Sequence, residues 1–187
     1  MVCSVAPSRS LVGSSVSMTE RPLRLLLVPG SLDRDDVTNR LLGATTTMVG
    51  PFAEIRWATV ATLPFYDSSA QVDSAVRRLL RESAEADAIL FGVPEHNGAP
   101  AVRAKNSMDW LTTTPTGKPV GIAAAQSIVR DPRLLRSSLL RAGLGLIDPL
   151  IQTPDDDAFD EGLLIDPVVR RSLATLLDLL AASTRID

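Results

Sequence analysis

GVPEHNGAPAVRAKNSMDW, residues Gly92–Trp110, leaves an apolar run, turns through a proline, a carboxylate, an imidazole, an amide and a glycine, and ends in a helical pattern. A bare connector needs only a turn. The residues before it, ADAILFGV (Ala86–Val93), read as a fully apolar strand. A short apolar run bounded by turn residues is the pattern of a strand buried on both faces, which implies a parallel sheet covered by helices. The polar turn therefore sits at the carboxyl end of a central strand. His96, within it, is the only histidine of the chain.

Outward from this strand the same alternation repeats. LRLLLV (Leu23–Val28) predicts another central strand, and AEIRWATV (Ala53–Val60) alternates as a half-exposed strand near an edge. KPVGIAAA (Lys118–Ala125) is the fourth strand. LGLIDPLI (Leu144–Ile151) is the fifth, interrupted by Asp148-Pro149, because proline in a strand marks an edge or a bulge. Helices are predicted over Thr38–Val49, along the stripe Val72, Ala75, Val76, Leu79, Leu80, and over Ala101–Leu111. Two more begin at Asp131-Pro132 and Asp166-Pro167, each an N-cap followed by proline in the first turn. About five βα alternations imply an α/β domain with a parallel sheet and helices on both faces. Ligands of such sheets bind at the carboxyl ends of the strands, near a switch point.

With 187 residues, one domain is expected, over residues 22–187. Residues 1–21, rich in serine, read as a disordered leader without the apolar core of a signal peptide, and Met18 is a second candidate start. A net charge of −3 and few aromatic residues argue against a general nucleic-acid binder. No apolar stretch approaches the ~20 residues of a membrane span. Cys3 is the single cysteine, so no internal disulfide forms, and with one histidine a structural zinc site is not expected. These features suit a cytoplasmic protein.

The loop after the first strand is PGSLDRDDVTNRLL, Pro29–Leu42. It lacks the three glycines of a dinucleotide fingerprint and the Gly-Lys-Ser/Thr of a P-loop. It does offer Gly30, hydroxyls at Ser31 and Thr38, the Asn39 amide and a helix start, where free N–H groups and the helix dipole favour an anion. Asp33, Asp35 and Asp36, against Arg34 and Arg40, oppose a dianionic phosphate there.

Together, GSLDRDDVTNRLL after the first strand and PEHNGAPAVRAKNSMDW after the third resemble the NADPH-dependent FMN reductase family. Its patterns are Gly-Ser-x-Arg-x-x-Ser-x-Asn and Pro-Glu-Tyr-Asn-Gly followed by Lys-Asn-x-x-Asp-Trp. Gly30, Ser31, Asn39, Pro94, Glu95, Asn97, Gly98, Lys105, Asn106, Asp109 and Trp110 match. The likeness extends from about Arg24 to Leu180. Three positions depart: Asp33 stands at the family's arginine in a loop one residue longer, Val37 at its serine, and His96 at its tyrosine.

The resemblance implies a flavodoxin-like fold, strand order 2-1-3-4-5. It implies FMN, with phosphate on Ser31, Thr38, Asn39 and Arg34 and the ring along Pro94, Glu95, His96, Asn97 and Gly98. The loop after strand four adds Gln126 and Ser127. It further implies NADPH or NADH as co-substrate, a small acceptor (flavin, quinone, azo or nitro compound, or metal oxyanion), and a homodimer or homotetramer. In such chemistry the flavin reacts and the protein positions it, so no catalytic nucleophile or base is expected. The alternative is a non-enzymatic module that keeps the fold without firm FMN binding.

Lys105 and Asn106 either approach the flavin or a second subunit, or else Lys105 is solvated and Asn106 orders the preceding loop. For the remaining motifs the plainer role is expected: Asp109 and Trp110 fix the end of their helix. Trp57 is core or interface. The acidic run Pro154–Glu161 is solvated rather than a metal loop, and Arg133, Arg136 and Arg141 form a wet helix face.

Overall fold

The structure is a computed structural model that describes residues 21–69, 71–96, 99–113, 117–124, 133–148 and 150–184. β1 (Leu23–Val28) lies between two parallel neighbours, β2 (Ala53–Trp57) and β3 (Ala88–Val93). After β3 the chain makes a small hairpin, β4 (Glu95–His96) against β5 (Ala99–Pro100). β6 (Pro119–Ala124) then pairs in parallel with β3. β7 (Gly145–Leu146) and β8 (Ile151–Gln152) both pair with β6, giving the order β2-β1-β3-β6-β7 with β8 continuing the last position. This is the expected flavodoxin-like order with its fifth strand split. The split falls on the Asp148-Pro149 segment, where proline has no N–H for the ladder. A second hairpin, β9 (Phe159–Asp160) and β10 (Leu163–Leu164), follows.

Helices cover both faces. Leu25 and Leu27 of β1 join a cluster with Leu41 and Leu42 of α1 (Val37–Val49) and Leu173 and Leu177 of α5 (Pro167–Ser183). Leu26 and Val28 point the other way. They join Val76 and Leu79 of α2 (Ser74–Glu85), Met108 of α3 (Val102–Leu111) and Leu135 of α4 (Arg133–Arg141). The period of two along one strand thus feeds two cores, which is why β1 reads as a continuous apolar run. Each fully buried leucine here contributes about 1.5–3 kcal/mol.

Among the described residues, three helices start on aspartate. Asp36, Asp73 and Asp166 accept hydrogen bonds from amides of the first turns of α1, α2 and α5. The Asp73 cap starts α2 at Ser74, so Val72 of the predicted stripe precedes the helix. The start at Asp131-Pro132 lies outside the described residues. Trp57 is 41% exposed on the edge strand β2, so it is not core. No helix among the described residues is long and apolar enough to cross a membrane.

Arg21, immediately before the expected domain boundary, is already fastened. Its guanidinium grips Asp87 with bonds of 2.6 and 2.9 Å, and Arg24 adds its backbone N–H at 2.9 Å and its guanidinium at 2.8 Å. Desolvation raises the Asp87 pKa, but the bonds from Arg21 and Arg24 outweigh it and hold the carboxyl well below its usual range.

Candidate functional site

The loops after β1 and β3 leave adjacent parallel strands at their carboxyl ends, so topology alone brings them together. They meet at Gly30. A Cβ on Gly30 would lie 2.3 Å from the Gly92 carbonyl oxygen and 2.5 Å from Pro94 Cδ, with Ala104 Cβ of α3 at 3.1 Å. Only a residue without a side chain permits this approach. The loop after β3 is itself closed: Ala101 N–H donates to the Pro94 carbonyl at 2.8 Å, around the β4–β5 hairpin. Pro94 is half-buried and Glu95 exposed. A backbone-lined ledge of this kind suits a planar ligand, which it can hold without reacting.

In the first loop the polar groups are largely spent on the loop. Ser31 Oγ accepts from Asp33 N–H at 3.1 Å, and Asp33 Oδ1 accepts from Asp35 N–H at 3.0 Å. Asp36 Oδ1 accepts from both Thr38 N–H, at 2.8 Å, and Thr38 Oγ1. Asn39 Nδ2 donates to the carbonyls of Ser31 at 3.1 Å and Asp33 at 2.6 Å. Asn39 is only 8% exposed, and its Oδ1 is buried without a hydrogen-bond partner. Arg34 is exposed. Arg40 turns away, bonding Asp156 Oδ1 at 2.6 Å and lying 4.2 Å above the Phe159 ring. The acidic run thus supplies one partner for a cation on α1.

A third loop, after β2, is fastened along α3. Asn106 Oδ1 accepts from Tyr66 N–H at 2.7 Å, and its Nδ2 donates to the Pro64 carbonyl at 2.9 Å. Trp110 Nε1 donates to the same carbonyl at 2.9 Å, and Tyr66 meets the Trp110 ring edge-on at 5.1 Å. Arg103 holds the Val60 carbonyl at 2.9 Å. Asn106 therefore orders the loop after β2, not the loop that precedes its own helix. Lys105 pairs with Asp109 one turn on rather than facing solvent alone. Arg136 pairs with Asp148 at 2.6 Å.

Of the predicted site residues, Asn39 is joined to Ser31 within the first loop, Gly30 of that loop abuts Pro94, and Thr38 abuts Gly92 at the end of β3; Glu95 and Arg34 are exposed. For His96 it gives the backbone, paired with Ala99. Asn97, Gly98, Gln126 and Ser127 lie outside the described residues. Sequence reasoning missed Leu32, Phe65 and Val102, which are 54%, 80% and 65% exposed on the loops after β1 and β2 and at the start of α3. The signal was present in Pro64-Phe65-Tyr66, an apolar patch inside a turn-rich segment. A groove of about 250 Å³ lined by Arg24, Glu54, Arg56, Glu82 and Glu85 lies against the first half of β1, away from these carboxyl ends.

The likeness of this chain to known proteins is one of family and fold. The profile of the family described as NADPH-dependent FMN reductase matches residues 23–139. An NAD(P)H-dependent FMN reductase of Pseudomonas aeruginosa is 30% identical over 112 residues, spanning 56% of this chain and 60% of that protein. A 2-hydroxy-1,4-benzoquinone reductase of a Burkholderia species is 25% identical over 178 residues, covering 87% and 97%. The solved structure of FerB, a flavoenzyme NAD(P)H:(acceptor) oxidoreductase from Paracoccus denitrificans, superposes with a TM-score of 0.75 at 20% identity, covering 87% of this chain and 97% of that one.

Proposed function

The chain belongs to the NADPH-dependent FMN reductase family, and from that premise we propose that it is a flavin-dependent NAD(P)H oxidoreductase acting on a small acceptor, a quinone first among them. The observation that carries this reading is the ledge at the carboxyl end of β3, closed from Pro94 to Ala101 and met by a Gly30 that tolerates no side chain. When bound, the flavin would supply the redox chemistry, accepting hydride from the nicotinamide and passing electrons on.

The chain's own residues then have positioning roles. Pro94, Glu95 and His96, with Asn97 and Gly98, would present backbone to the ring. Ser31, Thr38 and Asn39, with Arg34 at the outer edge, would face the ribityl-phosphate end, with Gln126 and Ser127 closing the third side. The exposed Leu32, Phe65 and Val102 would shelter the ring edge or meet a second copy in a homodimer or homotetramer. NADPH is favoured over NADH by the family's name, and a quinone acceptor by the Burkholderia relative's name. A cytoplasmic location fits the composition, and residues 22–187 would be the catalytic unit.

The test is NADPH oxidation by the purified chain with 1,4-benzoquinone, with and without added FMN. The reading requires turnover that depends on both quinone and flavin. No turnover in either condition, together with no quenching of flavin fluorescence, would leave the non-enzymatic alternative in its place.

A further inference from the structure

We propose that Asp36 is a built-in substitute for the flavin phosphate, so that the chain takes flavin by its ring and polyol and does not select for the 5′-phosphate. The inference rests on the flavin-reductase reading above and concerns which flavin the site accepts and how firmly.

Three observations converge on it. The donors that a phosphate would use at the start of α1, Thr38 N–H and Thr38 Oγ1, are both already donated to Asp36 Oδ1. An oxygen of a carboxylate in that place satisfies a helix N-terminus as a phosphate oxygen would. Second, the surrounding charge has the wrong sign. Asp33, Asp35 and Asp36 stand against Arg34, while Arg40 is drawn off to Asp156 and the Phe159 ring. A dianion brought here meets carboxylates first. Third, the buried group still open is an acceptor. Asn39 Oδ1 has no partner, and its Nδ2, the donor that a phosphate would want, is held by the Ser31 and Asp33 carbonyls. An open acceptor is matched by a hydroxyl, such as those of a ribityl chain, and not by a phosphate ester without a proton to give.

FMN would then have to expel Asp36 from its cap, at a cost of about fivefold or more, or leave its phosphate in solvent. Either way FMN and riboflavin bind nearly alike, and the flavin exchanges as a substrate does.

The experiment measures Kd for FMN and for riboflavin by fluorescence quenching, in the wild type, Asp36→Ser and Asp36→Asn. Serine and asparagine both cap helices, so folding is retained. In the wild type the two constants are expected within about threefold of each other. In Asp36→Ser, FMN should tighten about tenfold or more, the worth of a charge-assisted bond, with riboflavin unchanged. Asp36→Asn, which keeps shape and removes charge, should fall between. A wild type that prefers FMN by more than about tenfold, one such bond's worth, overturns the proposal. So does an Asp36→Ser variant with an unchanged ratio.

Inorganic phosphate read by thermal shift separates this failure from that of the flavin reading. It should raise the Tm of Asp36→Ser and not that of the wild type. If neither flavin binds any variant but phosphate stabilises only Asp36→Ser, the substitution by Asp36 stands and the flavin reading falls. Equal phosphate stabilisation of both proteins removes the proposal.

Discussion

Replacing Asn106 by alanine cuts the loop after β2 from α3. The side chain is buried and makes two bonds of unequal consequence. Its Nδ2 shares the Pro64 carbonyl with Trp110 Nε1, so after truncation that oxygen keeps one donor and the loss is about 1 kcal/mol. Its Oδ1 is the acceptor for Tyr66 N–H at 2.7 Å, and that amide is left without a partner. Tyr66 is half-buried, so water recovers part of the loss, and this step costs roughly 1–2 kcal/mol. The sum is roughly 2–3 kcal/mol, read as a lower urea midpoint with unchanged slope. Amide exchange at Tyr66 should rise by more than the global change explains, since the loop opens before the domain does. Trp110→Phe adds a sharper check. Alone it leaves Asn106 on the Pro64 carbonyl, whereas with Asn106→Ala that oxygen loses both donors, so the double variant should lose more than the sum of the two. A cost under about 0.5 kcal/mol with Tyr66 protection unchanged would show that Asn106 does not hold this loop.

Other perturbations address other parts of the fold. Gly30→Ala forces the loops after β1 and β3 apart, because the new Cβ meets backbone oxygen at 2.3 Å; about 1–3 kcal/mol of stability should go, along with flavin affinity, and a variant equal to wild type in both would contradict the packing. Asp87 has a depressed folded pKa, so its contribution is present above the unfolded value of about 3.9 and is lost as pH falls through the folded one. Asp87→Asn should therefore cost about 2 kcal/mol at neutral pH and less as the medium turns acid, and urea midpoints against pH that run parallel in the two proteins would refute this. Glu82 is buried with Oε1 on Arg78 at 2.7 Å and Oε2 without a partner; Glu82→Met should stay within about 0.5 kcal/mol of wild type or exceed it, and a loss above about 2 kcal/mol in thermal unfolding would mean that Oε2 has found a donor.

β1 and β3 were legible in the sequence because residues facing both cores leave no polar position in the run. The break in the last strand was legible because a proline cannot be hidden. For Trp57 alternation assigns a side, while shelter at an edge strand depends on what covers that side; of core or interface, the exposure excludes only core. The first loop showed its acids but not their use. Asp33, Asp35 and Asp36 are equivalent on paper, and only the path of the backbone makes Asp36 the cap of α1. Arg40 with Asp156, 116 positions apart, carries no local signal. Asn106 was assigned to the wrong loop because its partner is set by where α3 lies on the sheet, which brings it beside the segment after β2 instead of the one it follows.

The pinning of the first loop at both ends bears on how this site tolerates insertion. At its near end Gly30 is wedged against Gly92 and Pro94; at its far end Asn39 is tied beneath Ser31 and Asp33. Neither anchor can move without disturbing a buried neighbour. The one residue by which this loop exceeds the family's pattern must therefore be taken up in the solvent-facing span from Leu32 to Asp36. The cap of α1 stands three places before Asn39, and in this protein it is a carboxylate. The side chain at that one position then decides whether the mouth of the sheet greets an anion with amides or with an acid of its own.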